Sequence, residues 1–356
     1  MASVTLRVSL SGTQRALTRP AHNAQQSWTE REACLVTLLA ESGIAGSGEA
    51  SPLPGFSPDQ LEDCVAALRA FEPAGIPERL EAGQSALSEL SKVSARLPAR
   101  LPAARAALEA ALLDLWSRQA ALPAWALLVP SAPLPVPRAI AALLTGGPED
   151  ALEQAQRAQA RGIGCFKLKI GRPGALELEL SCVAVLRRAL GPAARLRLDA
   201  NRALSVSQAR AYLPRFAQHG LEYIEEPCAR ADLVQLADLA LPLAYDESLL
   251  SGELPASPPR ALVLKPSLLG GLSACASWAE RAARIGAEVV VSHAFEGPLG
   301  LALSATIALC WGSEALAHGL DIHGARLAPE AVPALAGAQL TAWPEPGFGL
   351  GLQELG

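Results

Sequence analysis

No basic stripe with interleaved aromatics runs through this sequence, whose aromatics amount to six Phe, six Trp and three Tyr. With a formal net charge of −5, nucleic acid is excluded from the expected partners. The opening segment, Met1 to Pro20, lacks a long apolar core, so no secretory signal is expected there. The most apolar stretch, Ala106 to Leu128, is broken by Glu109, Asp114, Arg118 and Pro123, so no membrane span is expected either. Seven cysteines lie scattered at 34, 64, 165, 182, 228, 275 and 310 with no Cys-x-x-Cys pair. Scattered cysteines without an export signal are expected to be buried reduced thiols, which points to the cytoplasm. Low-complexity tracts and repeats of fixed period are missing too. What remains is a chain of 356 residues, 50% hydrophobic and 18% charged. It can bury a sizeable core and suits two domains, or one barrel with an appendage. Nothing in it fixes an oligomeric state.

Two regimes follow one another. Residues 1–130 read as an α+β unit: Val4–Leu10 and Ala33–Leu39 as strands, a turn at Glu41-Ser42-Gly43, then helices over Leu61–Leu68 and Ala103–Leu122. Ser57 is the expected helix cap, with Pro58 at the first helical position and Gln60 at the third. Residues 131–325 alternate instead. Short apolar strands are expected at Phe166–Ile170, Leu196–Asp199, Tyr223–Glu225, Leu243–Asp246, Leu262–Lys265 and Val289–Ser292, bracketed by weaker ones at Ala139–Leu144 and Gly319–Ile322. Helical stretches separate them, at Ala175–Leu190, Val206–His219, Leu272–Ile285 and Leu299–Cys310. About eight parallel strands in βα units predict a closed α/β barrel. Residues 326–356 read as a tail that folds back over the surface.

Buried parallel strands should be continuously apolar, yet several here end in charge: Lys167 and Lys169, Asp199, Glu225, Asp246 and Lys265. In a parallel barrel all the C-terminal strand ends open on one face, where barrel enzymes place their chemistry. A single acid at a strand end is most often a cap or a solvated residue. Three acids spaced one βα unit apart demand partners, because buried charge is costly alone. Three carboxylates make the hard-oxygen set that suits Mg²⁺ or Mn²⁺. Lys167 and Lys169 share a strand face through the period of two, and Lys265 comes from the other side. A metal and an ammonium together stabilise the charge that develops when a proton leaves a carbon beside a carboxylate. The base must be a neutral amine, and Lys167 would help Lys169 to lose its proton. Glu226 and Glu247 are read as structural neighbours of this set.

In order, Phe166-Lys-Leu-Lys-Ile-Gly171, Leu198-Asp-Ala-Asn-Arg202, Tyr223-Ile-Glu-Glu-Pro227, Tyr245-Asp-Glu-Ser248 and Leu264-Lys-Pro266 resemble the muconate-lactonising-enzyme subgroup of the enolase superfamily. The resemblance implies an α+β capping domain on a modified (β/α)7β barrel. It implies Mg²⁺, with Mn²⁺ as a substitute, on Asp199, Glu225 and Asp246. It also implies that Lys169 and Lys265 face each other across a small-molecule carboxylate substrate. Within that superfamily, the segment Gly48–Ser57 is similar to its equivalent in o-succinylbenzoate synthases, which would bring Phe56 to the active-site mouth. That implies dehydration of 2-succinyl-6-hydroxy-2,4-cyclohexadiene-1-carboxylate to o-succinylbenzoate in menaquinone synthesis. Racemisation of an N-succinylamino acid or epimerisation of a dipeptide would use the same lysines. The Asp-x-Asp pair of dipeptide epimerases is not matched, since Asp321 is followed by His at 323. Asn201, Ser292, Gly270 and Phe56 are the candidate substrate contacts. Gly270 and Gly271 either offer amides to a carboxylate or only form a turn. Ser292-His293-Ala294 departs from the family's run of small hydroxyl residues, leaving His293 open between substrate contact and packing. His22, His219, His318 and His323 are read as structural or solvated. Arg19–Trp28 resembles the mobile loop that covers the site in this family.

Overall fold

Long strands near the N-terminus bury one face by alternation. In a computed structural model that describes residues 7–22, 26–81, 83–130, 133–322, 332–335 and 337–350, β1 (Arg7–His22) and β2 (Ser27–Leu39) form an antiparallel hairpin. The turn at Glu41–Gly43 then leads into β3 (Ala45–Ala50), which pairs with β2. Cys34, Val36 and Leu38 of β2 are buried, as the period of two requires. Helices α1 (Leu61–Arg69) and α2 (Ala86–Ser94) flank α3 (Pro102–Gln119), which is buried almost all round. The sheet can lie directly on α3 because β3 carries glycine. A Cβ at Gly48 would stand 2.0 Å from the Ala107 carbonyl oxygen, and one at Gly46 2.2 Å from the Leu115 nitrogen. A short helix, α4 (Ala124–Leu128), ends this unit.

Several expectations change here. The segment Arg19–Trp28, expected as a loop, is strand up to His22 and again from Ser27, because the hairpin ladder pairs Ala21 with Trp28 and His22 with Ser27. Its residues 23–25 lie outside the described residues. Ser57 caps no helix: α1 starts only at Leu61, and the Ser57 hydroxyl accepts from the Leu53 amide at 2.8 Å, closing a turn. Asp59 serves as a cap elsewhere, accepting from Ala103 N at 2.8 Å at the start of α3. Both β3 and α2 were unanticipated.

After β4 (Arg138–Ala139), seven parallel strands follow, each beside its predecessor: β5 (Ala141–Leu144), β6 (Cys165–Lys169), β7 (Arg195–Asp199), β8 (Leu221–Glu225), β9 (Leu243–Tyr245), β10 (Ala261–Leu264) and β11 (Glu288–Val291). The first crossovers are α5 (Pro148–Ala160), α6 (Leu176–Leu190) and α7 (Val206–Ala217). Turns of 3₁₀ helix at Arg230–Leu239 and Glu247–Ser251 follow, then α8 (Pro266–Leu269), α9 (Leu272–Ile285) and α10 (Pro298–Trp311).

The seam between β11 and β5 is bridged by two residues. Gly319 N donates to Val291 O at 2.9 Å, and His318 O accepts from Ala141 N at 2.7 Å. The strand expected over Gly319–Ile322 is thus reduced to bridges at His318 and Gly319. The His318 ring does part of a strand's work. Its Nδ1 accepts from Val291 N at 3.0 Å, and its Nε2 lies 3.1 Å from Ser313 O. The whole is an α/β barrel with an α+β cap. Near the C-terminus, β12 (Gln339–Leu340) pairs with β4, and Gly347 O accepts from Ala124 N at 2.8 Å. Among the described residues, no helix is long and apolar enough to cross a membrane.

Candidate active site

Strand register gathers the charged ends. Lys169 pairs laterally with Asp199, and Asp199 with Glu225. Asp246 follows β9 directly, and Lys265 follows β10. All six charges therefore meet on the C-terminal face. The Lys169 Nζ donates to Asp199 Oδ2 and Asn201 Oδ1, both at 2.7 Å. The Lys167 Nζ donates to both Glu225 oxygens at 3.0 Å and lies 3.1 Å from Asp199 Oδ2. Lys265 donates to Asp246 Oδ2.

The electrostatics follow from burial. Burial opposes ionisation of Asp199, but Lys167, Lys169 and Lys265 outweigh it and hold its pKa well below the usual carboxylate range. Glu225 is pushed up to about 7 by burial and then by the neighbouring Asp199. Burial works against the ammoniums of Lys167 and Lys265, yet the facing carboxylates raise both above the usual lysine value. Lys167 was expected to act on Lys169, but Glu225 and Asp199 offset its charge first.

An outer ring of bonds fixes these groups. Glu226 accepts from Asp246 N, Ser248 N and Ser248 Oγ, each at 2.8 Å, from a left-handed backbone at φ 42°. Burial and the adjacent Glu247 push Glu226 up to about 8. The Asn201 amide donates to Glu247 Oε1 at 3.0 Å. Asn201, expected to contact substrate, is buried behind Lys169 with its amide spent on that lysine and on Glu247, and it does not line the cavity.

The cavity above the lysines is walled by Trp28, Leu53 and Phe56 of the cap and by Ser292, His293 and Phe295 after β11. Phe56 lines this cavity, and Lys265 Nζ stands 4.9 Å from the centre of its ring, a cation–π contact. Ser292 also lines the cavity. Gly270 does not. Its amide and that of Gly271 both donate to Pro266 O, and a Cβ on Gly271 would stand 2.5 Å from Glu109 of α3. The glycine pair therefore serves a turn and a close helix approach. His293 is a wall residue, and its Nδ1 accepts from Phe295 N at 3.0 Å. His323 lies outside the described residues.

Arg197 was missed. It lies two residues before Asp199, so the period of two that paired Lys167 with Lys169 also turns it inward. It is buried, 4.4 Å from the Tyr223 ring centre, and donates to Glu222 Oε2 at 2.5 Å and Ala317 O at 2.7 Å. Its Nη2 has no hydrogen-bond partner among the described residues. Asp321, also in the wall, accepts from Arg161 Nη2 at 2.9 and 3.0 Å.

As they stand, no three acidic, His or Cys side chains among the described residues converge on one point as a ready metal cage; each acid turns to a lysine. The donor chemistry still suits a hard divalent cation: three buried carboxylates, without thiolate or imidazole, at adjacent strand ends. Glu225 is raised by burial first and by Asp199 second, and a cation beside it would favour its ionised form.

Residues 6–128 match the family described as mandelate racemase / muconate lactonizing enzyme, N-terminal domain, and residues 150–355 match enolase C-terminal domain-like. An o-succinylbenzoate synthase of Desulfotalea psychrophila is 33% identical over 334 residues, 80% of this chain and 84% of that one. A hydrophobic dipeptide epimerase of Roseobacter litoralis is 32% identical over 222 residues, 60% of this chain and 61% of that one. The crystal structure of a dipeptide epimerase from Enterococcus faecalis, complexed with Mg and L-Leu-L-Tyr, superposes with a TM-score of 0.79 at 21% identity, covering 98% of this chain and 99% of that one. With both of its regions matched, the chain belongs to the mandelate racemase / muconate lactonizing enzyme family of the enolase superfamily.

Proposed function

We propose that this chain is an o-succinylbenzoate synthase, a lyase that dehydrates the succinyl-hydroxycyclohexadiene carboxylate to its aromatic product in menaquinone synthesis. One observation carries the reading: Lys169 and Lys265 flank the three acid-bearing strand ends, and Phe56, from the segment that resembles the synthases, closes on Lys265. Residues 1–130 serve as the cap, 131–325 as the catalytic barrel and 326–356 as the tail.

Asp199, Glu225 and Asp246 would hold Mg²⁺, and Mn²⁺ would serve in its place. When bound, such an ion supplies positive charge opposite the substrate carboxylate as the adjacent proton leaves. Lys169, as the neutral amine, takes that proton, and Asp199 and Asn201 hold its Nζ in place. Protonated, Lys169 can then assist the departing hydroxide on the same face. Lys265 stabilises the anion through its charge over the ring. The cap wall of Trp28, Leu53 and Phe56 keeps water from the reacting carbon.

A second reading is favoured by the same lysine pair, which could carry a proton between two faces, and by the likeness to an epimerase. Racemisation of an N-succinylamino acid fits the cavity better than epimerisation of a dipeptide. Asp321, the wall acid that would meet a substrate ammonium, already bonds Arg161. Purified protein assayed side by side on the cyclohexadiene carboxylate, N-succinylamino acids and dipeptides tests the proposal. Dehydration should be the fastest reaction. Turnover of dipeptides alone would overturn it.

A further inference from the structure

The turn after β11 carries the wall residue Phe295, and side chains tie down most of its backbone. Ala294 N donates to Glu296 Oε2 at 2.5 Å, and Gly297 N to Glu49 Oε1 of the cap at 2.6 Å. Phe295 O accepts from Arg15 at 2.9 Å and Arg31 at 3.4 Å, both on the cap hairpin. Phe295 has φ +61°, a left-handed backbone that a bulky residue adopts only where its surroundings impose it.

Arg31 joins two walls. It is buried, and besides Phe295 O its donors reach Pro52 O at 3.0 Å, Ser51 O at 2.5 Å and Ser51 Oγ at 2.8 Å. Ser51 and Pro52 lead straight into the turn that bears Phe56. One guanidinium therefore ties together two segments that line the cavity, one from the cap and one from the turn after β11, with Glu296 and Glu49 supplying nearby negative charge. A planar fork with five donors can bridge several carbonyls in fixed directions, which an ammonium cannot.

We propose that Arg31 is a positioning residue that sets the spacing between the Phe56 and Phe295 walls, and so fits the cavity to a compact ring carboxylate. This rests on the cavity being the substrate site. Arg31 touches no reacting atom, so its effect should fall on substrate fit and not on the chemical step.

Arg31→Lys, which keeps the charge, tests this by two readouts. Hydrogen exchange of the amides at 294–297 should speed up by about tenfold or more. Amides at the start of α9, tied to the cap separately by Glu109 through Ser273 N, should keep their protection. KM for the substrate that the wild type accepts should rise about tenfold with kcat within about twofold. Phe295→Ala alone should raise KM similarly, and adding Arg31→Lys to it should change KM no further, because the spacing that Arg31 sets matters only while the Phe295 ring forms one side of it. Unchanged exchange at 294–297 overturns the clamp. Faster exchange with unchanged KM overturns the positioning role, as does the same KM penalty with and without Phe295. If the wild type turns over none of the substrate classes, the proposed function itself fails, and the exchange result alone then decides for or against the clamp.

Discussion

Lys169 donates to Asp199 across 2.7 Å, and the two residues are lateral neighbours on adjacent parallel strands. The contact places a potential base directly beside a candidate metal ligand without making it one. Lys169→Ala should therefore lower dehydration by about 10²–10⁴-fold while divalent-ion binding persists. Lys169→Arg should fail as well, because a guanidinium stays protonated near neutral pH. Lys265→Arg should keep more activity than Lys265→Ala, since its assigned task is charge alone. Steady-state rates beside calorimetric metal titrations check all four variants. An active Lys169→Arg enzyme would remove Lys169 as the base.

Glu226 holds the Asp246 amide and both the amide and hydroxyl of Ser248, so it fixes the direction of the third acid. Glu226→Gln should weaken Mg²⁺ binding by about 10–100-fold. Asp199→Asn, Glu225→Gln and Asp246→Asn should each weaken it more. Titration of purified variants with Mg²⁺ gives the order, and wild-type affinity in any of the last three would strike that residue from the ligand set.

How much of this could be read from the sequence depended on periodicity. The barrel strands and α9 stood out because apolar runs alternate with helical stretches, and the charged strand ends broke an otherwise apolar pattern. Phe56 was placed by resemblance alone. The hairpin reads as a loop over Arg19–Trp28 because that stretch is mostly polar, with none of the apolar alternation that marks the rest of its strands. Gly270 and Gly271 read equally as amide donors to substrate or as a turn, and only the position of Glu109 on a distant helix shows what the pair is for. Arg197 obeys the same period of two as Lys167, yet a lone charge in mid-strand lacks the signal that charges at successive strand ends give.

His318 is buried with both ring nitrogens committed to the backbone, and burial lowers its pKa to about 3. The unfolded histidine titrates near 6.5, so protons bind the unfolded chain more tightly. The neutral ring's contribution is then complete above about pH 6.5 and is lost as pH falls from there toward 3, by roughly 1.4 kcal/mol per pH unit. His318→Asn, whose amide oxygen can still accept from Val291 N, should be less stable at pH 7.5. Its stability should also fall less steeply between pH 6.5 and 4.5. Urea unfolding across that range compares the slopes, and equal slopes would show that His318 does not carry the acid sensitivity.

Arg161 matches the charge of Asp321 in the cavity wall. Arg161→Met should remove that matching positive charge and make the wall at Asp321 more favourable to a substrate ammonium. The ratio of kcat/KM for a hydrophobic dipeptide to that for an N-succinylamino acid should rise by about tenfold, equivalent to ~1.4 kcal/mol. An unchanged ratio would show that Asp321 takes no part in selecting substrate charge.

The most direct measurement is conversion of the succinyl-hydroxycyclohexadiene carboxylate by the purified protein, followed by the absorbance of the aromatic product, before and after a chelator and then on adding back Mg²⁺. The account predicts rapid formation of o-succinylbenzoate, loss of the rate with the chelator and its return with Mg²⁺. No conversion by folded, Mg²⁺-supplied protein, or a rate indifferent to the chelator, would contradict it.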